Sequence, residues 1–109
     1  MNATATFSAL AEPSRFQIVE LLRQRPLPVG QIAVRLKLQQ PQVSKHLRVL
    51  SDAGLVEARP VAQQRIYALR AEPLRELDEW VERYRRIWED RMDRLDVIVE
   101  GMKRKERTK

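Results

Sequence analysis

The chain has 109 residues, no cysteine and a formal net charge of +6 at pH 7. This length predicts one domain, residues 1–109, with a modest core, and the lack of cysteine excludes disulfides and thiolate metal sites. No apolar run approaches the roughly 18 residues that span a bilayer, and the first residues lack the features of a secretory signal. We therefore expect a cytoplasmic protein with no membrane partner.

The positive charge is unevenly distributed along the chain. Residues 1–70 contain ten Lys and Arg against four Asp and Glu, whereas residues 71–109 contain eleven of each kind. A basic balance is often only a feature of soluble surfaces. Its confinement to the first part of the chain favours a polyanionic partner, because phosphate contacts supply most of the non-specific affinity for nucleic acid.

The first predicted elements are two helices. A short helix over residues 6–11 presents Phe7 and Leu10. Pro13 suits the first turn of the second helix, where its missing N–H would be unpaired in any case. That helix is expected to run to about Arg25, where an Arg-Pro-Leu-Pro sequence ends it. Its predicted buried side chains are Phe16, Val19 and Leu22, with Ile18 and Leu21 beside them.

Residues 31–56 carry the most informative pattern, two short amphipathic helices joined by a polar turn and followed by Gly54 as a C-terminal cap. The first helix is predicted to bury Ile32, Ala33 and Leu36, and the second to bury Val43, Leu47 and Leu50. The outer side of the second helix carries Gln42, Lys45 and Arg48, with Ser44 and His46 on its flanks. Such side chains can bond base edges and phosphates in a major groove. The pattern predicts a helix-turn-helix, and we call its second helix the reading helix.

Residues 55–69 are the one stretch with strand character, and they predict a hairpin with its turn near Val61 to Gln64. Pro60 cannot donate to a sheet from a central position, so it lies on an edge strand. A two-stranded hairpin is barely stable alone, so it must pack on the helices. The predicted fold is mainly α with a small β-hairpin: a winged helix-turn-helix whose DNA-binding core and wing cover residues 5–72.

The last predicted helix covers residues 73–102 and carries a heptad-like seam that is interrupted at Arg91. About 30 helical residues span roughly 45 Å, which is longer than a core of about 70 residues can cover. A seam that extends beyond its own domain is expected to meet a second copy of itself. Residues 103–109 are expected to form a disordered tail. The seam consists of Leu74, Leu77, Val81, Tyr84, Trp88, Leu95, Ile98 and Met102, with Trp80, Ile87, Met92 and Val99 beside it.

The strings FSALAEPSRFQIVELL (7–22), QQPQVSKHLRVLSDAGLVEAR (39–59) and RIYAL (65–69) resemble the ArsR/SmtB family of bacterial winged-helix repressors. LDEWVERYRRIWEDRMDRL (77–95) resembles a metal-free branch of that family. The resemblance implies a homodimer that binds an inverted-repeat operator in double-stranded DNA and represses transcription. The DNA-binding residues it implies are Gln40, Gln42, Ser44, Lys45, His46, Arg48, Arg59, Gln64 and Arg65. The first and last helices would form the dimer interface through Phe7, Leu10, Leu77, Trp80, Val81, Tyr84, Trp88 and Leu95.

The chain departs from the family pattern at three positions. Ahead of the reading helix, Lys37 and Gln39 stand where the family often has Gly and Ser, and glutamine is the poorer N-cap. At the wing tip, Ala62 stands where the family often has Gly. The wing also carries glutamines at positions 63 and 64 in place of cations, so the wing contacts are the part of the resemblance that these departures put in doubt.

Metal sensing and catalysis both lack the residues they need. The family's thiolate site requires cysteines, and its other site requires His and carboxylates on the last helix, where this chain has no His. Asp78, Glu79 and Glu82 alone would form a hard, oxygen-only site, whereas transition metals prefer nitrogen or sulfur ligands. We expect no metal, no cofactor and no catalytic residue, since His46, the single histidine, has no nucleophile or carboxylate beside it in sequence.

Two other interpretations remain open from the sequence. The aromatic series of the last helix could line a cavity for an organic effector of unknown identity, although this spacing is more often plain core. The long helix could instead dock a different protein, which would make the chain an interaction module. The polar outer face of the reading helix favours the regulator, because it offers no apolar patch to bury.

Overall fold

The structure, a computed structural model, describes residues 2–107, with side chains up to Lys103. The chain divides into two compact units, Met1–Leu77 and Asp78–Lys109. The order of elements is the winged helix-turn-helix arrangement that the sequence predicts, with a long last helix. The elements in chain order are α1 (Ala3–Ala11), α2 (Pro13–Leu22), β1 (Leu27–Pro28), α3 (Val29–Leu36), α4 (Gln40–Asp52), β2 (Val56–Val61), β3 (Gln64–Leu69) and α5 (Glu72–Arg107).

Side-chain caps begin the first two helices. Asn2 accepts the backbone N–H of Ala5 at 3.0 Å at the start of α1, and Glu12 accepts that of Arg15 at 2.9 Å at the start of α2. Such caps satisfy N–H groups that have no partner within the helix. Pro13 lies in the first turn of α2, as predicted. Helix α1 begins three residues earlier than expected, and α2 ends at Leu22 rather than near residue 25.

The core of the first unit combines one face of each short helix with the base of the sheet. The predicted buried side chains of the reading helix are confirmed, with Val43 and Leu50 at 0% exposure and Leu47 at 1%. The predicted burial of Phe16 is wrong, since this ring is 51% exposed. Two helical residues turn the chain by about 200°, so Phe16 faces away from the fully buried Ile18. The buried apolar residues are Ala9, Ile18, Val19, Leu22, Leu27, Ile32, Ala33, Val43, Leu47, Leu50, Leu55, Val56 and Ala68.

The sheet has three antiparallel strands in the order β1-β3-β2. Strands β2 and β3 form the predicted hairpin, closed by the Val61–Gln64 pair, and Pro60 lies on an edge strand as predicted. The prediction of a hairpin alone missed β1, which pairs Leu27 with Tyr67. A two-residue strand has no alternation of polar and apolar side chains, so only its pairing identifies it.

Three turn residues have positive φ. Gly54 has φ +77° after α4, and it follows the reading helix in a Schellman motif: its N–H donates to Ser51 O and that of Leu55 to Leu50 O, both at 2.9 Å. The other two are Lys37, with φ +57°, and Ala62, with φ +55°. They occupy the two positions at which the resemblance leads one to expect glycine. Glycine is the residue that adopts positive φ without a steric cost.

Helix α5 runs for 36 residues and ends at Arg107, not near residue 102. Its length is about 54 Å. Residues 103–107, part of the tail expected to be disordered, are helical, and positions 108 and 109 lie outside the described residues. At its start, a backbone hydrogen bond and then the charge of Arg70 lower the pKa of Glu72. From Tyr84 onward the large apolar side chains of α5 are exposed: Tyr84, Ile87, Trp88, Met92, Leu95, Val97, Ile98, Val99 and Met102.

Candidate nucleic-acid interface

The reading helix, α4, has a buried apolar face and an exposed polar face. Its apolar stripe faces the core, and Lys45 lies on the opposite side, where it is exposed together with Gln42 and Arg48. In the turn before the helix, the N–H of Leu38 donates to Ala33 O at 3.0 Å and thereby closes the end of α3. Because the apolar stripe of the reading helix is fully buried, its polar face points outward.

No acidic residue occurs between Glu20 and Asp52, a stretch that includes α3, the turn and almost all of the reading helix. The same stretch contains six cations: Arg23, Arg25, Arg35, Lys37, Lys45 and Arg48. A surface with cations and no carboxylates attracts polyanions without local repulsion, and this attraction is screened by salt. The uneven charge of the whole chain is thus concentrated at the helix-turn-helix.

A cleft of about 710 Å³ joins the start of α3, the start of the reading helix and the wing. It brings together four of the nine predicted DNA-binding residues: Gln40, Ser44, Gln64 and Arg65. The remaining lining residues are Pro28, Val29, Gly30, Gln31, Val34, Gln63 and Tyr67. Reading helix and wing therefore form one continuous surface rather than two separate ones.

The wing does not present its two predicted arginines in the same direction. In the hairpin, Arg65 pairs with Pro60, and Arg59 pairs with Ile66. Since successive side chains of a strand point to opposite faces and paired residues share a face, Arg59 and Arg65 lie on opposite faces of the wing. The guanidinium of Arg59 donates to Glu57 Oε1 from Nη2 at 2.6 Å and from Nε at 3.0 Å. Arg65 lines the cleft, whereas the charge of Arg59 is already partly neutralised within the wing.

Two predicted residues of the reading helix make contacts within the protein. Gln42 Oε1 accepts the backbone N–H of Gln39 at 3.4 Å, a long hydrogen bond at the first turn of the helix. His46, on the same flank, is half-buried, and its Nδ1 lies 3.7 Å from Glu12 Oε2. The amide of Gln42 remains exposed and can exchange this bond for one to a base, whereas the imidazole faces α2.

The sequence prediction missed Gln31, Gln63 and Tyr67 as members of the cleft. Glutamine clustering was the available signal, because six of the eight glutamines in the chain lie between residues 31 and 64. Gly30 lies next to the end of the Gln40 side chain, since a Cβ at this position would lie 3.0 Å from Gln40 Nε2. A larger residue at position 30 would require the flexible Gln40 amide to shift.

The predicted dimer residues fall on α1 and α5. On α1, the ring of Phe7 is 43% exposed, and Leu10 packs against the core. Within α5, the rings of Trp80 and Tyr84 meet at a centroid distance of 4.9 Å, and Trp88 and Leu95 are half exposed on the same seam.

Over the described residues, no three His, Cys, Asp or Glu side chains are grouped so as to hold a metal ion. No helix in this part of the chain is long and apolar enough to cross a membrane.

A helix-turn-helix with an acid-free outer face, continued by a wing, is a winged helix-turn-helix fold. The sequence profile of the family described as "Bacterial regulatory protein, arsR family" matches residues 12–58. The chain is 35% identical over 82 residues to the transcriptional activator HlyU of Vibrio cholerae, and the matched region covers 75% of this chain and 76% of that protein. The chain belongs to the ArsR family of bacterial regulatory proteins.

Two further similarities concern one curated relative and one solved structure. The HTH-type transcriptional regulator Rv2034 of Mycobacterium tuberculosis is 46% identical over 63 residues, 58% of this chain and 59% of that protein. For the first three curated relatives, the match spans between 51% and 59% of their length. The solution structure of the homodimeric winged helix-turn-helix DNA-binding domain of Mb0332 from Mycobacterium bovis has a TM-score of 0.63 at 32% identity, over 72% of this chain and 73% of that one.

Proposed function

We propose that this protein is a homodimeric repressor that acts in the cytoplasm on an inverted-repeat operator. Each protomer inserts its reading helix into a major groove, and the wing follows the adjacent backbone. In this proposal Gln40, Gln42, Ser44, Lys45 and Arg48 of the reading helix and Gln64 and Arg65 of the wing contact DNA.

The observation that carries the proposal is the continuous polar surface formed by the reading helix and the cleft. Its amides can make paired hydrogen bonds to base edges, which distinguish one base from another. Its cations Lys45, Arg48 and Arg65 suit phosphates, which fix the register of the protein on the duplex. Both kinds of contact are needed for an operator to be chosen among many competing sites.

Dimerisation is supported by the exposed apolar seam of α5 and by the homodimeric state of the Mycobacterium bovis relative. Two reading helices on one face of the duplex require half-sites about 10 base pairs apart, centre to centre, or a multiple of this distance. The operator is therefore expected to be an inverted repeat with that spacing.

Repression is the expected outcome because a dimer bound over a promoter occludes it. The Vibrio cholerae relative is an activator, so a reporter assay must decide the direction of regulation. A promoter carrying the operator should become less active when the protein is expressed. Increased activity would support activation instead and would contradict the proposed repressor.

The central experiment is a salt-controlled titration of the DNA upstream of the protein's own gene, with a set of mutated operators. Replacing Gln42 by Ala should flatten the ranking of these operators, because an amide paired with adenine contributes about 1–3 kcal/mol of discrimination. The matched control is Gln17→Ala, which removes an exposed amide from α2 and should leave the ranking unchanged. If the Gln42 variant keeps the full ranking, this side chain does not read the sequence.

For regulation, the proposal is that repression follows protein concentration, without a metal or redox switch. Zinc, copper, arsenite and peroxide should leave operator affinity unchanged at constant salt. A tenfold loss of affinity with any of them, about 1.4 kcal/mol of coupling, would contradict this part of the proposal.

A further inference from the structure

One carboxylate connects three helices of the first unit. Glu12 Oε2 accepts the backbone N–H of Arg15 at 2.9 Å and lies 3.7 Å from Nδ1 of His46 on the reading helix. The guanidinium of Arg15 in turn donates to two carbonyls near the end of α1, to Ala9 O at 2.7 Å from Nε and to Ser8 O at 3.3 Å from Nη2. A short series of polar contacts thus leads from α1 through the start of α2 to the reading helix.

The imidazole of His46 is more enclosed than the cations beside it. Its side chain is 22% exposed and that of Glu12 is 35% exposed, whereas Lys45 and Arg48 are exposed. A separation of 3.7 Å is too long for a hydrogen bond, so the attraction between the two side chains is electrostatic. Glu12 and Arg15 are the charged groups at this end of α2, the guanidinium of Arg15 is engaged by α1, and α1 itself has no charged side chain.

We propose that His46 is a positioning residue rather than a DNA contact. Its ion pair with Glu12 holds the reading helix against α2 and α1, and so sets the angle at which Lys45, Arg48 and Gln42 meet the duplex. This inference rests on the proposed function and replaces the role that the sequence suggested for His46.

Removal of either partner of the Glu12–His46 contact should loosen the seat of the reading helix. Operator affinity should then fall by about two- to fivefold, the range expected for a partly exposed ion pair.

The decisive variant is Glu12→Gln, measured beside His46→Gln and the double variant at constant pH and salt. Glutamine at position 12 retains an oxygen that can accept the Arg15 N–H, so the cap of α2 is kept. If His46 positions the helix through Glu12, each single variant binds the operator less tightly than the wild type, and the double variant matches either single one. Simple removal of a negative charge would instead tighten DNA binding. Glu20→Gln, within α2 but paired with Arg23, controls for that electrostatic effect and should not weaken binding.

If Glu12→Gln binds the operator as tightly as the wild type while His46→Gln binds it less tightly, His46 acts on DNA directly and the inference is overturned. Thermal melting of the free proteins separates this inference from the proposed function. If the variants show a Glu12–His46 coupling in melting but the titration detects no operator binding by the wild type, the contact stands and the proposed function fails. If melting shows no coupling, the inference itself fails.

Discussion

The reading helix and the distal part of α5 are both amphipathic helices with charged outer faces, but they use their apolar faces differently. In the reading helix, Val43, Leu47 and Leu50 are buried within the protomer. In α5, Trp88 and Leu95 lie at the same kind of helical spacing and remain half exposed. A helix that has buried its apolar face inside the protein has only its polar face left for a partner, whereas a helix with an exposed seam still has apolar surface to bury.

The comparison assigns a different kind of partner to each helix. A polar, acid-free face suits a hydrated polyanion, because its cations and amides can bond phosphates and base edges. An exposed apolar seam suits another apolar seam, because burial contributes about 25 cal/mol for each Å² removed from water. We therefore propose DNA as the partner of the reading helix and a second copy of the chain as the partner of the seam on α5.

The largest expected effect comes from a charge in the seam of α5. Trp88→Glu should produce monomers at micromolar concentration, since truncating a buried aromatic residue costs about 3–5 kcal/mol and burying a charge costs more. Operator affinity should then fall by about 100-fold or more, because a monomer loses the second half-site. Light scattering measures the first effect and an operator titration the second.

Val97→Glu is the matched control for the seam. Val97 lies nine residues from Trp88, about two and a half turns, and so on the opposite face of α5. This variant should remain a dimer with unchanged operator affinity. A monomeric wild-type protein, or a dimer that tolerates glutamate at position 88 as well as at position 97, would remove α5 from the proposed interface.

A smaller effect is expected within the reading helix. Leu47→Ala should lower the free energy of unfolding by about 2–5 kcal/mol, because it leaves a cavity in a packed core. Val49→Ala, two residues further along the same helix but 41% exposed, should change it by less than about 0.5 kcal/mol. Urea unfolding of both variants tests this difference. Equal losses would mean that the two faces of the helix are not distinguished as the structure describes.

Much of the fold could be predicted from sequence because it depends on local signals. The stripe of Val43, Leu47 and Leu50, the proline at the start of α2 and the glycine after the reading helix each act over a few residues, and the structure confirms all three. The hairpin was predictable for the same reason, since its strands and turn are neighbours in sequence. The predicted exposure of Gln42, Lys45 and Arg48 followed directly from the buried stripe on the other side of the helix.

The features that the sequence did not reveal depend on tertiary contacts. Strand β1 exists only because Leu27 pairs with Tyr67, forty residues away. The contact of His46 with Glu12 joins the reading helix to the start of α2, which is distant in sequence. The exposure of Phe16 depends on how α2 rotates against its neighbours, and an apolar residue on an amphipathic helix carries no signal for that rotation. Local periodicity therefore identified the surface of the proposed interface but not the tertiary contacts around it.

The wing offers a weaker test of which charges are available to DNA. Arg65→Ala should weaken binding to all sequences alike and lower the slope of log affinity against log salt by about 1, as expected for one lost phosphate contact. Arg59→Ala should have a smaller effect, because Glu57 already holds its guanidinium at 2.6 Å. In a Glu57→Gln background, the effect of Arg59→Ala should increase. If the two arginines contribute equally in the wild type, the opposite faces of the wing do not differ in their access to DNA.

The smallest expected effect lies in the two turns that border the DNA-binding surface. Lys37 and Ala62 adopt positive φ without being glycine, which costs about 1–2 kcal/mol each. Glycine removes that cost but loses roughly 0.5–1 kcal/mol through its freedom in the unfolded chain, so Lys37→Gly and Ala62→Gly should each stabilise the protein by about 0.5–1 kcal/mol in urea unfolding. Ala58→Gly, in strand β2 with ordinary φ, should destabilise it and serves as the control. Lys37→Gly should also weaken operator binding, because it removes a cation from the turn before the reading helix, whereas Ala62→Gly should leave binding unchanged. If Ala62→Gly lowers the unfolding midpoint as Ala58→Gly does, the wing turn is not strained in the free protein.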